Sequence, residues 1–201
     1  MTHPAWSLVL AAGASRRMGR PKLLLPLPEG GTVLARAIRP HLEAGLSRVL
    51  VVLGSEAAGV EAAAGLPNDP RLRVMVNEDW DEGMASSLRR GIEACAEAEA
   101  VLVALGDEPG VTVSRLSMLL AAWSPGTPLV VPVHAGRPSR PVLFGRALFP
   151  ELLSLTGDEG GRQVVRRHWG QAVQVEAPPL LDLDTPADYL ALLGDSDILP
   201  R

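Results

Sequence analysis

The sequence predicts an α/β fold: a doubly wound, mostly parallel sheet with helices on both faces. Three observations predict it. Short apolar runs alternate with amphipathic helical stretches along most of the chain. The runs lack the in/out alternation of a half-solvated strand, so they read as strands buried on both faces. Finally, 201 residues, 47% of them apolar, are enough for one domain with a real core. We see no repeat, linker or composition break, so the expectation is a single domain over 1–201.

The elements follow in order. Ser7–Ala11, Arg48–Leu53, Leu72–Val76, Val101–Leu105 and Leu129–Val133 are candidate strands. Each ends at Gly, Pro, Asn or another polar residue. Between them Val33–Ala44, Glu56–Ala64, Ala85–Ala98 and Ser114–Ala122 suit helices. After Val133 the rhythm changes, and residues 134–146 are rich in Gly, Pro and Arg. Helix candidates Ala147–Leu155 and Arg162–Trp169, a strand at Val173–Glu176 and a closing helix at Pro186–Leu193 complete the chain. Pro186 suits the first turn of that helix and Thr185 its N-cap.

Bulk properties exclude several functions. The net charge of −4 argues against a nucleic-acid partner, which needs a broad cationic surface. No apolar run is long enough for a membrane helix, and the start of the chain lacks a signal-peptide layout. A cytoplasmic protein is therefore expected. The single cysteine, Cys95, allows no intrachain disulfide and reads as core packing. The histidines have no metal-ligand spacing, and there is no Ser/His/Asp or Cys/His arrangement.

In parallel sheets ligands bind beyond the C-terminal ends of the strands. The residues after the first strand, LVLAAGASRRMGRPKLLLP, join small side chains to a run of cations. Leu10, Ala11, Ala12 and Gly13 would let a ligand approach the backbone, with Gly13 free to take a positive φ. Free N–H groups in such a turn hold phosphate oxygens. Arg16, Arg17 and Lys22 would neutralise them. The spacing fits neither a P-loop nor a dinucleotide-binding GxGxxG. From the residues alone, the stretch is either a different phosphate loop or a solvated basic turn.

This loop resembles the signature of the nucleotidyltransferases that make molybdopterin dinucleotide cofactors, roughly LAAG-x-S-x-R-M-G-x-x-K-x-L-L-P. Five further segments resemble the same family in the same order. They are NEDWDEGMASSL from Asn77, with Glu78 in place of the usual proline; GDEP from Gly106; GRPSRPVLF from Gly136; GDEGGR from Gly157; and DLDTP from Asp182. The likeness covers nearly the whole chain. It implies a Rossmann-like nucleotide-diphospho-sugar transferase fold. The implied activity is transfer of a nucleoside monophosphate to a phosphorylated acceptor, with release of pyrophosphate.

Carried over residue by residue, the resemblance gives the backbone of Leu10 to Gly13 to the nucleotide, Arg17 to the leaving pyrophosphate and Lys22 to the α-phosphate. Asp107, which alone reads as a cap or turn residue, becomes a Mg²⁺ ligand. Mg²⁺ is held by one or two carboxylates plus substrate phosphates. Asp182 or Asp184 would supply the second carboxylate; in an extended segment both face one way, and Asp184 is slightly favoured. Asn77, Gly83, Ser86 and Ser87 would face the base and ribose, although either serine also suits a helix cap. Arg140 and Arg162 would meet the acceptor, among arginines (Arg137, Arg166, Arg167) of which several are ordinary surface residues.

Ala12, where the guanylyl branch has a second glycine, narrows the space beside the base, and DLDTP resembles the cytidylyl branch. The reading is a molybdenum cofactor cytidylyltransferase using CTP, whose product a molybdoenzyme apoprotein would receive. Two nearer alternatives are GTP as donor and another acceptor, such as a sugar phosphate or small metabolite. A farther one is a non-catalytic cofactor carrier. It predicts lost charge at the metal site, whereas Lys22, Arg17, Asp107, Asp182 and Asp184 are all present.

Overall fold

The structure, a computed structural model, describes residues 3–15, 18, 20–54, 57–180, 183 and 185–194. Eight strands form one sheet: β1 (Ala5–Ala11), β2 (Val49–Leu53), β3 (Leu72–Val76), β4 (Ala100–Leu105), β5 (Leu129–His134), β6 (Arg137–Pro138), β7 (Val142–Gly145) and β8 (Val173–Glu176). Their order is β3-β2-β1-β4-β7-β5-β6, with β8 beside β5. The first four are mutually parallel, and β5 and β8 are parallel. Strand β7 runs antiparallel to both β4 and β5 and separates the two parallel groups.

Helices α1 (Val33–Glu43), α2 (Ala57–Ala63) and α4 (Val113–Ala122) cover one face. Helices α3 (Met84–Ala94), α5 (Phe149–Leu153) and α6 (Arg162–Arg167) cover the other. Strand β1 shows why its sequence lacks polar alternation. Ala5, Val9 and Ala11 pack into one core, Trp6, Leu8 and Leu10 into the other, and all seven residues are buried. Thr32 caps α1 by accepting from Ala35 N at 3.2 Å, and Thr112 caps α4 from Arg115 N at 3.2 Å. Helix α7 (Pro186–Gly194) starts at a reciprocal cap, with Thr185 N donating to the Asp188 carboxylate at 2.6 Å and Asp188 N to Thr185 Oγ1 at 3.3 Å. Tyr189 and Leu192 of α7 pack with Met18, Leu25 and Leu27, so the chain's far end sits over the loop after β1.

The sequence left residues 134–146 as a change of rhythm. They form the β5–β6 hairpin and then β7, the one strand that enters the sheet's interior against its prevailing direction. Its four residues VLFG follow a cis Arg140–Pro141 peptide. The predicted helix Ala85–Ala98 ends at Ala94, where Cys95 N turns to the carbonyls of Gly91 and Ile92. Cys95 is fully buried, and burial pushes its thiol up to about 12. Among the described residues no helix is long and apolar enough to cross a membrane.

One buried polar pair joins β1 to α1. His41 Nδ1 lies 2.7 Å from Ser7 Oγ, and both residues are almost wholly inaccessible. Burial pushes the His41 pKa down from 6.5 to about 3, so the ring is neutral in the folded state. The unfolded chain therefore binds one proton more between those two values. Stability is fully present above about pH 6.5 and falls by about 1.4 kcal/mol per pH unit below it, until the buried ring itself protonates. Urea unfolding at pH 5.5 and 4.5 checks this: His41→Gln should flatten the wild-type slope by that single-proton increment.

Candidate nucleotide site

The parallel pairing of β1 with β4 builds the site. Leu10 sits opposite Leu105, and Gly106 N donates to Leu10 O at 2.8 Å. The two chain segments therefore leave the sheet side by side, Ala12-Gly13 from one strand and Gly106-Asp107 from the other. Gly106 permits this closeness, since a Cβ there would lie 2.8 Å from Ala11 Cβ and 2.9 Å from Leu34 Cδ1.

Beyond these strand ends opens a cavity of about 560 Å³. It is lined by Leu10, Ala11, Ala12, Gly13, Lys22, Trp80, Asp81, Gly83, Met84, Ser87, Asp107, Glu108, Arg140, Asp158 and Arg162, among others. Lys22 opens a short 3₁₀ turn. Ser15, with φ of 51°, bends the loop back, and its Oγ accepts from Lys22 N at 3.1 Å. The Lys22 ammonium pairs with the Asp107 carboxylate and donates to Leu183 O at 3.3 Å. A single cation thus links the first loop, the end of β4 and the C-terminal segment. Arg16, Arg17, Asp182 and Asp184 lie outside the described residues; Leu183, between the two aspartates, is described and buried.

A second chamber of about 430 Å³ adjoins the first and shares Arg140, Asp158 and Arg162 with it. Val142 and Phe144 of β7 and Val165 of α6 line it. The strand that the sequence did not reveal therefore forms part of its wall. Of the other arginines, Arg167 is taken up by Glu151 at 2.8 Å and Gln163 at 3.0 Å; it lines neither chamber, nor do Arg137 and Arg166.

Two residues expected at the nucleotide are engaged inside the protein instead of lining the cavity. Asn77 is 4% exposed and does not line the cavity. Its Nδ2 donates to Ser86 Oγ at 2.8 Å and Ser87 Oγ at 3.0 Å, and its Oδ1 accepts from Asp79 N at 3.2 Å. Ser86 in turn donates to Gly83 O at 2.9 Å and stays out of the lining. Asn77 and Ser86 bind the end of β3 to α3, and only Ser87 reaches the cavity. Neither serine caps α3, whose N-cap is Gly83.

The glycines separate into two kinds. Gly83, with φ of 110°, rests on the 157–158 segment; a Cβ there would lie 2.4 Å from Gly157 O. Gly13 has no such constraint. Its φ lies outside the left-handed region, and a Cβ would meet nothing within 4 Å. The expected positive φ falls two residues later, at Ser15. Any need for glycine at 13 therefore comes from what enters the cavity.

Several wall residues carried no sequence signal. Glu108 fills the variable place of G-D-x-P, and Asp158 the aspartate of GDEGGR, to which the sequence assigned no role. Arg115, which lies behind the wall and lines neither chamber, is in no motif. It is 4% exposed, and burial pushes its pKa down, opposed by the Glu108 carboxylate and reinforced by the charge of Arg140. Trp80 also lines the cavity.

The profile of the MobA-like NTP transferase domain matches residues 7–173. The chain belongs to that family. Its sheet, cavity and cationic loop are therefore those of a nucleotidyltransferase. Nicotine blue oxidoreductase of Paenarthrobacter nicotinovorans is 36% identical over 80% of this chain and 80% of its own. The molybdenum cofactor cytidylyltransferase of Escherichia coli is 28% identical over 91% and 92%. Among solved structures, a homologue of Mycobacterium tuberculosis Rv0371c from Mycobacterium sp. strain JC1 superposes with a TM-score of 0.84, 31% identity and coverage of 97% and 98%. Rv0371c itself, solved as a complex with manganese, gives a TM-score of 0.76 at 30% identity, with coverage of 96% and 100%. Family members thus carry names from different chemistries, and the acceptor has to be argued from this chain's own residues.

The glycine contrast is directly testable by urea unfolding. Gly83→Ala should cost about 2 kcal/mol or more, from strain and overpacking together. Gly13→Ala should stay within about 0.5 kcal/mol of the wild type.

Proposed function

We propose that the protein transfers CMP from CTP to the phosphate of molybdenum cofactor and releases pyrophosphate. The observation that carries this reading is the Lys22–Asp107 pair. It lies at the C-terminal edge of the parallel strands, in a cavity that Arg140 and Arg162 also line. Nucleotidyl transfer asks for in-line positioning and for charge neutralisation at the α-phosphorus. The attacking phosphate is already ionised at neutral pH and needs no dedicated base. An oxygen of the acceptor phosphate bonds to the α-phosphorus as its bond to the bridging oxygen breaks, and pyrophosphate leaves with that electron pair.

The chain's own groups divide this work. The backbone of Ala11 to Gly13, unobstructed at Gly13, takes the nucleotide. Lys22 neutralises the α-phosphate, and Arg17 faces the pyrophosphate. Arg140 and Arg162 meet the acceptor's phosphate. The Asp107 carboxylate lines the cavity, and an oxygen donor of this kind suits Mg²⁺, which one or two carboxylates hold together with substrate phosphates and water. Asp182 or Asp184 is the proposed second ligand. The metal would polarise the phosphoryl oxygens and orient the triphosphate.

Support for CTP over GTP comes from the base side. Ala12 and Trp80 both line the cavity, and the methyl group of Ala12, where a glycine would leave more room, would favour a pyrimidine over a purine beside it. The product would pass to a molybdoenzyme apoprotein, within the cytoplasm.

Pyrophosphate release with molybdenum cofactor, Mg²⁺ and CTP, GTP or ATP in turn tests this. CTP should be used in preference, and Ala12→Gly should raise the use of GTP relative to CTP. Lys22→Met and Asp107→Ala should each lower kcat by about a hundredfold or more, the scale of losing one electrostatic stabiliser of the transition state. A preference for GTP in the wild type would overturn the role given to Ala12.

A further inference from the structure

Arg140 stands where the two chambers meet. Its position is held from both ends. Its Nε donates to Glu108 Oε1, and that carboxylate's residue is only 1% exposed. Its backbone carbonyl accepts from Arg115 Nε at 2.6 Å. The same buried guanidinium donates to Ser139 Oγ at 2.8 Å and to Pro178 O at 2.7 Å. Arg115 thus ties α4 to the β6–β7 connection and to the segment after β8.

Burying a carboxylate and a guanidinium together is costly, and apolar residues of similar size often stabilise a core as well or better. This network borders a cavity and ends on a side chain that faces it. An unrestrained arginine loses rotamer entropy on binding an anion, and a pre-oriented one loses less.

We propose that Glu108 and Arg115 are positioning residues that hold Arg140 at the junction of the chambers, where its guanidinium receives the anionic group of the acceptor. The proposal rests on the nucleotidyl-transfer reading above for the identity of that acceptor. It gives a role to Glu108 and to Arg115, neither of which any motif assigned.

The test is a double-mutant cycle in the full chain. Pyrophosphate release is followed at saturating CTP with molybdenum cofactor varied. Glu108→Gln should raise the acceptor KM about tenfold, the scale of one hydrogen bond to a charged group. Most of the loss in kcat/KM should lie in KM, and CTP affinity, measured by calorimetry without acceptor, should change less than twofold. Arg140→Ala should raise KM at least as much, and the double variant should be no worse than Arg140→Ala alone. Additive losses, or a loss of CTP affinity in Glu108→Gln, would overturn the proposal. If Glu108→Gln fails to fold, Ser139→Ala takes its place in the same cycle with the same criteria.

A second readout needs no turnover and so separates this proposal from the choice of acceptor. The Arg140 Nε–H resonance, assigned by its absence in Arg140→Lys, should exchange slowly in the wild type and rapidly in Glu108→Gln. Equal protection in both would overturn the positioning role, whatever the acceptor proves to be.

Discussion

The register between β1 and β4 is the constraint on which the rest of this structure depends. Pairing Leu10 with Leu105 fixes where two backbones leave the sheet together. The Lys22–Asp107 pair is then hung on those two exits. Asp107 follows Gly106, and Lys22 reaches back to it from a turn that Ser15 closes. A slip of one residue would turn every side chain of the strand to the other face. With both faces of β1 buried, the register is held by tight packing, including Leu8 against Gly91, where a Cβ would lie 2.3 Å from Leu8 Cδ1.

Polar groups inside the fold sort by whether they touch the cavity. Ser7 and His41 lie deep between β1 and α1, away from it, with the imidazole held neutral. Asn77 sits near the cavity but spends its amide on two serines, and so fastens α3 to β3. Arg115 and Glu108 are nearly as buried as His41, yet they end on Arg140 at the wall. Burial alone does not distinguish a structural polar group from one that shapes a site. What it holds in place does.

The antiparallel strand β7 shapes the cleft as well as the sheet. On the β1–β4 side lie the small residues, the cation and the carboxylate that the sequence pointed to. On its own side β7 supplies Val142 and Phe144 to an apolar-walled chamber. The Arg140–Pro141 turn just before it carries one of the two arginines common to both chambers. One short strand thereby contributes to the wall of the second chamber and, through the turn before it, to the first.

The sequence by itself determined the α/β class, six of the strands within two residues, the loop after β1, and the choice of Lys22, Asp107 and Arg140, all of which line the cavity. These follow from local properties. A strand buried on both faces must be apolar throughout, and an anion site needs small residues and cations close together. Only the tertiary structure decided that VLFG enters the sheet antiparallel, since four residues after a proline carry no periodicity and their partners are distant in sequence. It alone turned Asn77 and Ser86 inward, because a polar residue at a strand end can face a ligand or a neighbouring helix with the same local sequence. It alone brought Glu108, Arg115 and Arg140 together, from the end of β4, from α4 and from the turn before β7. Their charges could be read in the chain, but the pairing depends on how those three elements pack.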